Sequence, residues 1–478
     1  LEGLEVSIVN KSAVMAGAET LRYDSEYYLK RHISAELVIG SKPHKFSKFS
    51  ELNLLVDGSA FYPALEPFYD TGDYPFIRVG DIKDHVDFEN CIKVPFEILH
   101  GYPTLKHVKK GDIVLTKGGT IGLAGLITQD CCVTRDLIFI NSSVLVENDY
   151  ITLFLYLSTN FLYQQLIRSG SQSVQPHLTI TLVRNIDVYQ YSDLFKVKAA
   201  NLYKESISKL EESKINYKQA ETLLLDTLGM ADFSPDTETV NIKSFKDSFA
   251  ATGRLDAEYY QPKYEQVMAH ITAQAHDTLN ALVTIKKSIE PGSDEYSDDE
   301  QGLPFLRVAD YCKFGVTPPQ KKIRASFVAE NKDKLDELMP KAGTILFSKD
   351  GSVGEAYCLR EDASFITSGA VLHLTVRDTK KLLPDYLTLA LNSKLVKMQA
   401  ERDAGGSIIL HWRVGEIESV VVPLVDMPTQ QKIAALVQQS FTLKAESERL
   451  LAVAKHTVEM AIEQDEAAAM DYLSGHMA

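Results

Sequence analysis

Two short segments carry the residue types best suited to holding a phosphate or a base. Lys117-Gly118-Gly119-Thr120-Ile121-Gly122 and Lys349-Asp350-Gly351-Ser352-Val353-Gly354 each join a lysine to glycines and a small hydroxyl residue. Glycines let backbone N–H groups approach an anion closely while the lysine neutralises it. Neither segment has the order of a nucleotide phosphate loop, in which lysine and a hydroxyl follow the last glycine, and the dinucleotide-binding glycine spacing fails as well. The plain alternative is a β-turn whose glycines supply positive φ while the lysine sits in solvent. Two occurrences at matched positions favour binding.

A second pair of segments matches in place more than in chemistry. Gly170 to Leu178 contains Ser171, Gln172, Gln175 and His177, and Gly405 to Arg413 contains Ser407, His411 and Arg413. Such side chains can hydrogen-bond base edges, and glutamine can be bidentate to adenine. The lone Trp412 is expected in a core or interface, and Cys131-Cys132 reads as a buried pair of small apolar residues. The five cysteines form no C-x-x-C pair and are odd in number, which argues against a disulfide framework or zinc knuckle and for a reducing compartment. We find no H-E-x-x-H, no pair of histidines at metal-ligand spacing and no G-x-S-x-G elbow. Nothing assembles into an active site, so neither a catalytic residue nor a resident metal or cofactor is expected.

The elements that must position these segments are duplicated. Arg22-Tyr-Asp-Ser-Glu-Tyr-Tyr28 returns as Arg254-Leu-Asp-Ala-Glu-Tyr-Tyr260. Pro75-Phe-Ile-Arg78-Val-Gly-Asp81 returns as Pro304-Phe-Leu-Arg307-Val-Ala-Asp310, and Gly111 to Gly122 returns as Gly343 to Gly354. A period this long means duplication of a domain, not a solenoid. Short strands are expected at 76–79, 113–116 and 137–140, and at 305–308, 344–347 and 371–376. They are separated by turns rather than regular helices, so a doubly wound parallel sheet is not expected.

Each half closes with a heptad pattern. Tyr203, Leu210, Tyr217 and Leu224 recur at seven in the first, and Leu436, Leu443 and Leu450 in the second. The fold class is therefore α+β: two duplicated mixed α/β domains joined by two long helices packed as an antiparallel coiled coil. The boundaries read as an N-terminal tail (1–20), a first domain (21–195) and a first helix (196–229). A connector (230–252), a second domain (253–427), a second helix (428–466) and a C-terminal tail (467–478) follow.

The chain has 478 residues, 45 % hydrophobic and 24 % charged, which excludes wholesale disorder. A net charge of −15 speaks against a nucleic-acid partner only until it is divided by segment. Residues 231–300 hold 14 acids against 6 bases, whereas 301–360 hold 10 bases against 7 acids. Exposed charges act over about 8–10 Å at physiological salt, so local sign matters more than the total. No stretch is long and apolar enough to span a bilayer and no export signal opens the chain, so a cytoplasmic protein without a membrane partner is expected.

On these residues the sequence resembles the specificity subunit of Type I restriction–modification enzymes. The marks are the Glu-Tyr-Tyr opening, the Phe-[Ile/Leu]-Arg-Val-x-Asp strand and the Lys-x-Gly-x-[Ile/Val]-Gly run. The Gly-Ser…His segment and Pro428-Thr-Gln-Gln-Lys-Ile433 at the last helix complete them. The resemblance implies a non-catalytic reader of double-stranded DNA, each target-recognition domain taking one half of a bipartite asymmetric site. The helices would set the spacing and dock adenine methyltransferase subunits. Restriction/translocase subunits would join them, with S-adenosylmethionine, ATP and magnesium on the partners. The residues expected at DNA are Arg78, Lys117, Gly118, Gly119, Thr120, Ser171, Gln172, Gln175 and His177 in the first half. Arg307, Lys349, Gly351, Ser352, Ser407, His411 and Arg413 are their counterparts in the second. Two alternatives are the DNA-specificity portion of a single-chain Type II restriction–methylation enzyme, suggested by the absence of an initial Met, and a protein-interaction scaffold that binds no DNA.

Overall fold

The computed structural model describes residues 7–11, 26–60, 62, 64–169, 177–238, 240–297, 299, 301–406 and 409–476. They form two units, one of residues 1–209 with 446–478 and one of residues 210–445. Each long helix contributes to both units.

In the first unit a four-stranded antiparallel sheet has the order Val56–Gly58, Leu137–Ile140, Ile113–Thr116, Ala124–Leu126. Its two central strands are buried at every position, as their unbroken apolar runs require. A second sheet places Tyr74–Ile77 parallel to Cys131–Val133. The pleat sends the two cysteines to opposite faces, Cys131 into one apolar cluster and Cys132 into another. Burial raises both thiols, Cys132 to about 12, so they are inert packing groups.

The second unit repeats the plan. Val283–Lys287, Val371–Val376, Ile345–Ser348 and Ala356–Cys358 form the antiparallel sheet in the same order. Leu303–Leu306 runs parallel to Ile366–Thr367. One difference lies in the acidic stretch around Tyr296. It reads as a loop in the sequence, yet Tyr296–Ser297 adds an edge strand to Lys322–Ile323, and Glu295 is ion-paired to Arg324 beside it.

The long helices span Asp193–Thr227 and Met427–Glu463. In the first unit Tyr191, just ahead of the first helix, reaches the carbonyl of Val458, while Ser206 further along meets Ser447 earlier in the second helix. The helices therefore run antiparallel there. In the second unit Ser213 Oγ donates to the Ser440 carbonyl at 2.7 Å, and Tyr217, Ala220 and Leu224 share a cluster with Ile433 and Val437. All four serines are buried. Ser206 and Ser213 correspond to Ser440 and Ser447 under the duplication, so the two serine contacts are one contact made twice.

Two boundaries are corrected. The first helix begins earlier than its periodicity predicts, because Ser192 caps it: its hydroxyl accepts from Phe195 N–H, and its own N–H donates to Glu466. The residues expected as a C-terminal tail form a helix, Glu466–His476, with Ala469 and Leu473 buried in the first unit's core. Burying a leucine fully stabilises by about 1.5–3 kcal/mol, enough to dock so short a segment.

Candidate nucleic-acid interface

Both glycine loops grow from a central strand by the same three hydrogen bonds. Thr116 N–H donates to Leu123 O at 2.9 Å, Leu123 N–H to the Thr116 hydroxyl at 2.9 Å, and Gly122 N–H to Thr116 O at 2.9 Å. In the second unit Ser348 stands for Thr116, with Ser348 N–H to Glu355 O at 3.0 Å, Glu355 N–H to Ser348 Oγ at 2.8 Å and Gly354 N–H to Ser348 O at 2.9 Å. The turn needs positive φ at two points in each copy: Gly119 and Gly122 at +75° and +77°, Gly351 and Gly354 at +72° and +79°. L side chains rarely adopt that region, which explains why these glycines recur.

The loop and the histidine segment, far apart in sequence, meet in both units. Lys117 N–H donates to Asp136 O at 2.8 Å, and its carbonyl accepts from Leu178 N–H at 3.0 Å, bringing His177 over Gly118. Lys349 N–H donates to Ala370 O at 2.9 Å, and its carbonyl accepts from Trp412 N–H at 2.8 Å, bringing His411 beside Asp350. In the first unit the result is a cleft of about 390 Å³ lined by Ser59, Ala60, Lys117, Arg135, Asp136 and His177. Ser59 is fixed there, donating to Val133 O at 2.7 Å and accepting from Lys106 N–H at 2.9 Å. In the second unit Asp350 bonds both Lys349 Nζ and His411 Nδ1, the latter at 2.8 Å. A lysine, a histidine and a carboxylate around a glycine turn offer donors and acceptors to an anion or a base edge.

The sequence profile of the family described as "Type I restriction modification DNA specificity domain" matches residues 55–190 and 279–452. The chain belongs to this family. It is thus a DNA-specificity protein of restriction–modification, and membership carries DNA binding and assembly with restriction–modification subunits. Among solved structures it is similar to the Type I restriction–modification S subunit from M. genitalium, at 14 % identity and TM-score 0.39, covering 87 % of this chain and 95 % of that one. It is also similar to the HsdS subunit from Thermoanaerobacter tengcongensis, at 14 % identity and TM-score 0.28, covering 88 % and 96 %. No curated protein matches it.

Within the two specificity domains the other expected residues fall into distinct places. Gly119 and Thr120 are exposed at the tip of the first loop, and Gly351 and Ser352 at that of the second. Arg78 and Arg307 each open a short 3₁₀ turn whose buried aspartate accepts from the arginine N–H at 2.8 Å. The guanidinium Nε lies 3.6 Å from Asp81 in one domain and 3.3 Å from Asp310 in the other. Both side chains stay half exposed, and Arg78 does not line the cleft. Arg413 heads the helix Val414–Glu418 with its side chain 86 % exposed. Ser171, Gln172, Gln175 and Ser407 lie outside the described residues. Trp412 is buried against Phe347, as its type suggested.

The Glu-Tyr-Tyr signature also finds a physical role. Arg168 lies over the Tyr27 ring at 4.2 Å and Arg402 over Tyr259 at 5.1 Å. These arginines close the helices Asn160–Ser169 and Lys394–Asp403, just before the histidine segments. Each signature tyrosine thus stacks on the end of the helix that precedes a histidine segment. Sequence reasoning missed Ser59, Arg135 and Asp136, which come together only when separate turns meet. Among the described residues no cluster could hold a metal ion and no helix is long and apolar enough to cross a membrane.

Proposed function

We propose that each specificity domain reads one half of a bipartite, asymmetric DNA site at its glycine loop, and that the chain itself catalyses nothing. The observation that supports this most is the double occurrence of one backbone frame carrying different side chains: Gly118, Arg135 and Asp136 in one copy, Asp350, Gly369 and Ala370 in the other. A fixed frame with divergent contents is what two readers of unlike half-sites need. The first long helix has 35 residues, about 52 Å at 1.5 Å per residue. On this reading adenine methyltransferase subunits bind along the helices in the cytoplasm and supply the S-adenosylmethionine chemistry. Restriction/translocase subunits bring ATP and magnesium.

The test is co-purification with the neighbouring methyltransferase subunit, followed by sequencing of adenine methylation in DNA exposed to the complex. Methylation at one split, asymmetric motif is the expected result. Assembly with methylation that is random or absent would contradict the proposal and leave a protein scaffold.

A further inference from the structure

The two glycine-loop sites differ by a reciprocal exchange. The shared hydrogen bonds make Lys117 equivalent to Lys349, Asp136 to Ala370 and His177 to His411. Within this frame the first domain has glycine at 118 and aspartate at 136, while the second has aspartate at 350 and alanine at 370. Where one domain gains a carboxylate in the loop, it has lost one in the turn opposite.

In the first domain the two positions face the same gap. A Cβ placed on Gly118 would lie 3.5 Å from His177 Nδ1 and Cε1 and 3.6 Å from Asp136 Oδ1. A side chain there would grow into the gap flanked by the ring and the carboxylate. In the second domain the side chain that grows from that position is Asp350, and its carboxylate lies on His411 Nδ1 at 2.8 Å. The histidine side chain there is 65 % exposed, with the carboxylate on Nδ1.

We propose that Asp136 and Asp350 are the same positioning residue carried at two places in the chain, each orienting the histidine beside its glycine loop toward a base pair. This rests on the reading of the clefts as DNA contacts. A carboxylate on one ring nitrogen sets the orientation of the ring and hence which atom the other nitrogen offers.

The experiment exchanges the carboxylate. A randomised duplex library is selected on the assembled specificity–methyltransferase complex, and preference at each half-site is read separately. Asp136→Ala should cost the first half-site about tenfold in discrimination, the scale of a good base contact, and leave the second unchanged. Adding Gly118→Asp to that variant should restore preference to within about threefold. Gly118 lies outside the positive-φ region, so the new side chain meets no backbone strain. The mirror pair, Asp350→Gly with and without Ala370→Asp, should behave alike at the second half-site. Thermal unfolding of every variant confirms that it folds. Loss without rescue in both domains, or no loss on removing either aspartate, overturns the equivalence. Lys117→Ala and His177→Ala separate the two levels: if neither alters the first half-site, the cleft is not a DNA contact and both proposals fall. If they alter it while the exchange does not rescue, only the equivalence falls.

Discussion

Lysines 117 and 349 occupy the same backbone position but differ in surroundings, and this sets different expectations for them. Lys349 is bound to Asp350, whereas Lys117 lines an open cleft with Arg135. Lys117→Ala should weaken DNA binding by the assembled complex across all sequences and lower the slope of log affinity against log salt by about one, if it meets a single phosphate. Binding titrations between about 50 and 200 mM salt check this; an unchanged slope with altered sequence preference would make it a base reader. His373 is a histidine of the sheet core. It stands where the first domain has Phe139, buried in the central sheet, with its ring nitrogen 2.8 Å from Thr367 Oγ1. Desolvation, aided by the Lys286 charge, lowers its pKa to about 4. The folded protein keeps it neutral while the unfolded chain protonates near pH 6.5, so stability is full above that value and falls as pH drops toward 4. The loss should be about 2 kcal/mol at pH 5, measurable as a urea midpoint that His373→Gln renders less sensitive to pH.

The central strands were legible because burial writes itself as a mostly apolar run, whereas the strands expected at 76–79 and 305–308 lie two residues earlier, at Tyr74–Ile77 and Leu303–Leu306. The expectations at 113–116, 137–140 and 371–376 coincide with the observed elements. The long helices were legible by period, yet the middle of their seam was not, because a heptad reading searches for large apolar residues. Ser206, Ser213, Ser440 and Ser447 fill it instead, and small side chains permit close approach with hydroxyls satisfied by carbonyls or each other. Ser213→Leu should therefore overpack the seam and destabilise by about 1–3 kcal/mol. Ser213→Ala should cost less than about 1.5 kcal/mol, the net worth of one hydrogen bond. Calorimetry of both variants distinguishes this from a solvent-facing serine, at which neither change would register. The helix Glu466–His476 escaped notice for the opposite reason: few large apolar residues mark it, and two buried contacts suffice.

For the molecule as a whole, duplication was the most legible feature and the contents of each cleft the least. A repeat survives in the sequence as spaced blocks, whereas Ser59, Arg135 and Asp136 gain meaning only from turns that converge in space. The family profile covers 55–190 and 279–452 as two separate stretches, which leads to a prediction at this scale. Replacing residues 55–190 with the matching stretch of another family member should change one half of the methylated motif and leave the other half and the spacing intact. Sequencing of methylated adenines decides it, and a change in both halves would refute independent reading.

The bonds that tie each glycine loop to its neighbouring segments run almost wholly from main chain to main chain. Main-chain bonds are indifferent to the side chains they carry. Substitutions at 118, 135, 136, 350 or 370 therefore leave these main-chain bonds in place. If the proposed reading holds, a lineage acquires a new target by changing side chains on a frame whose main-chain bonds persist.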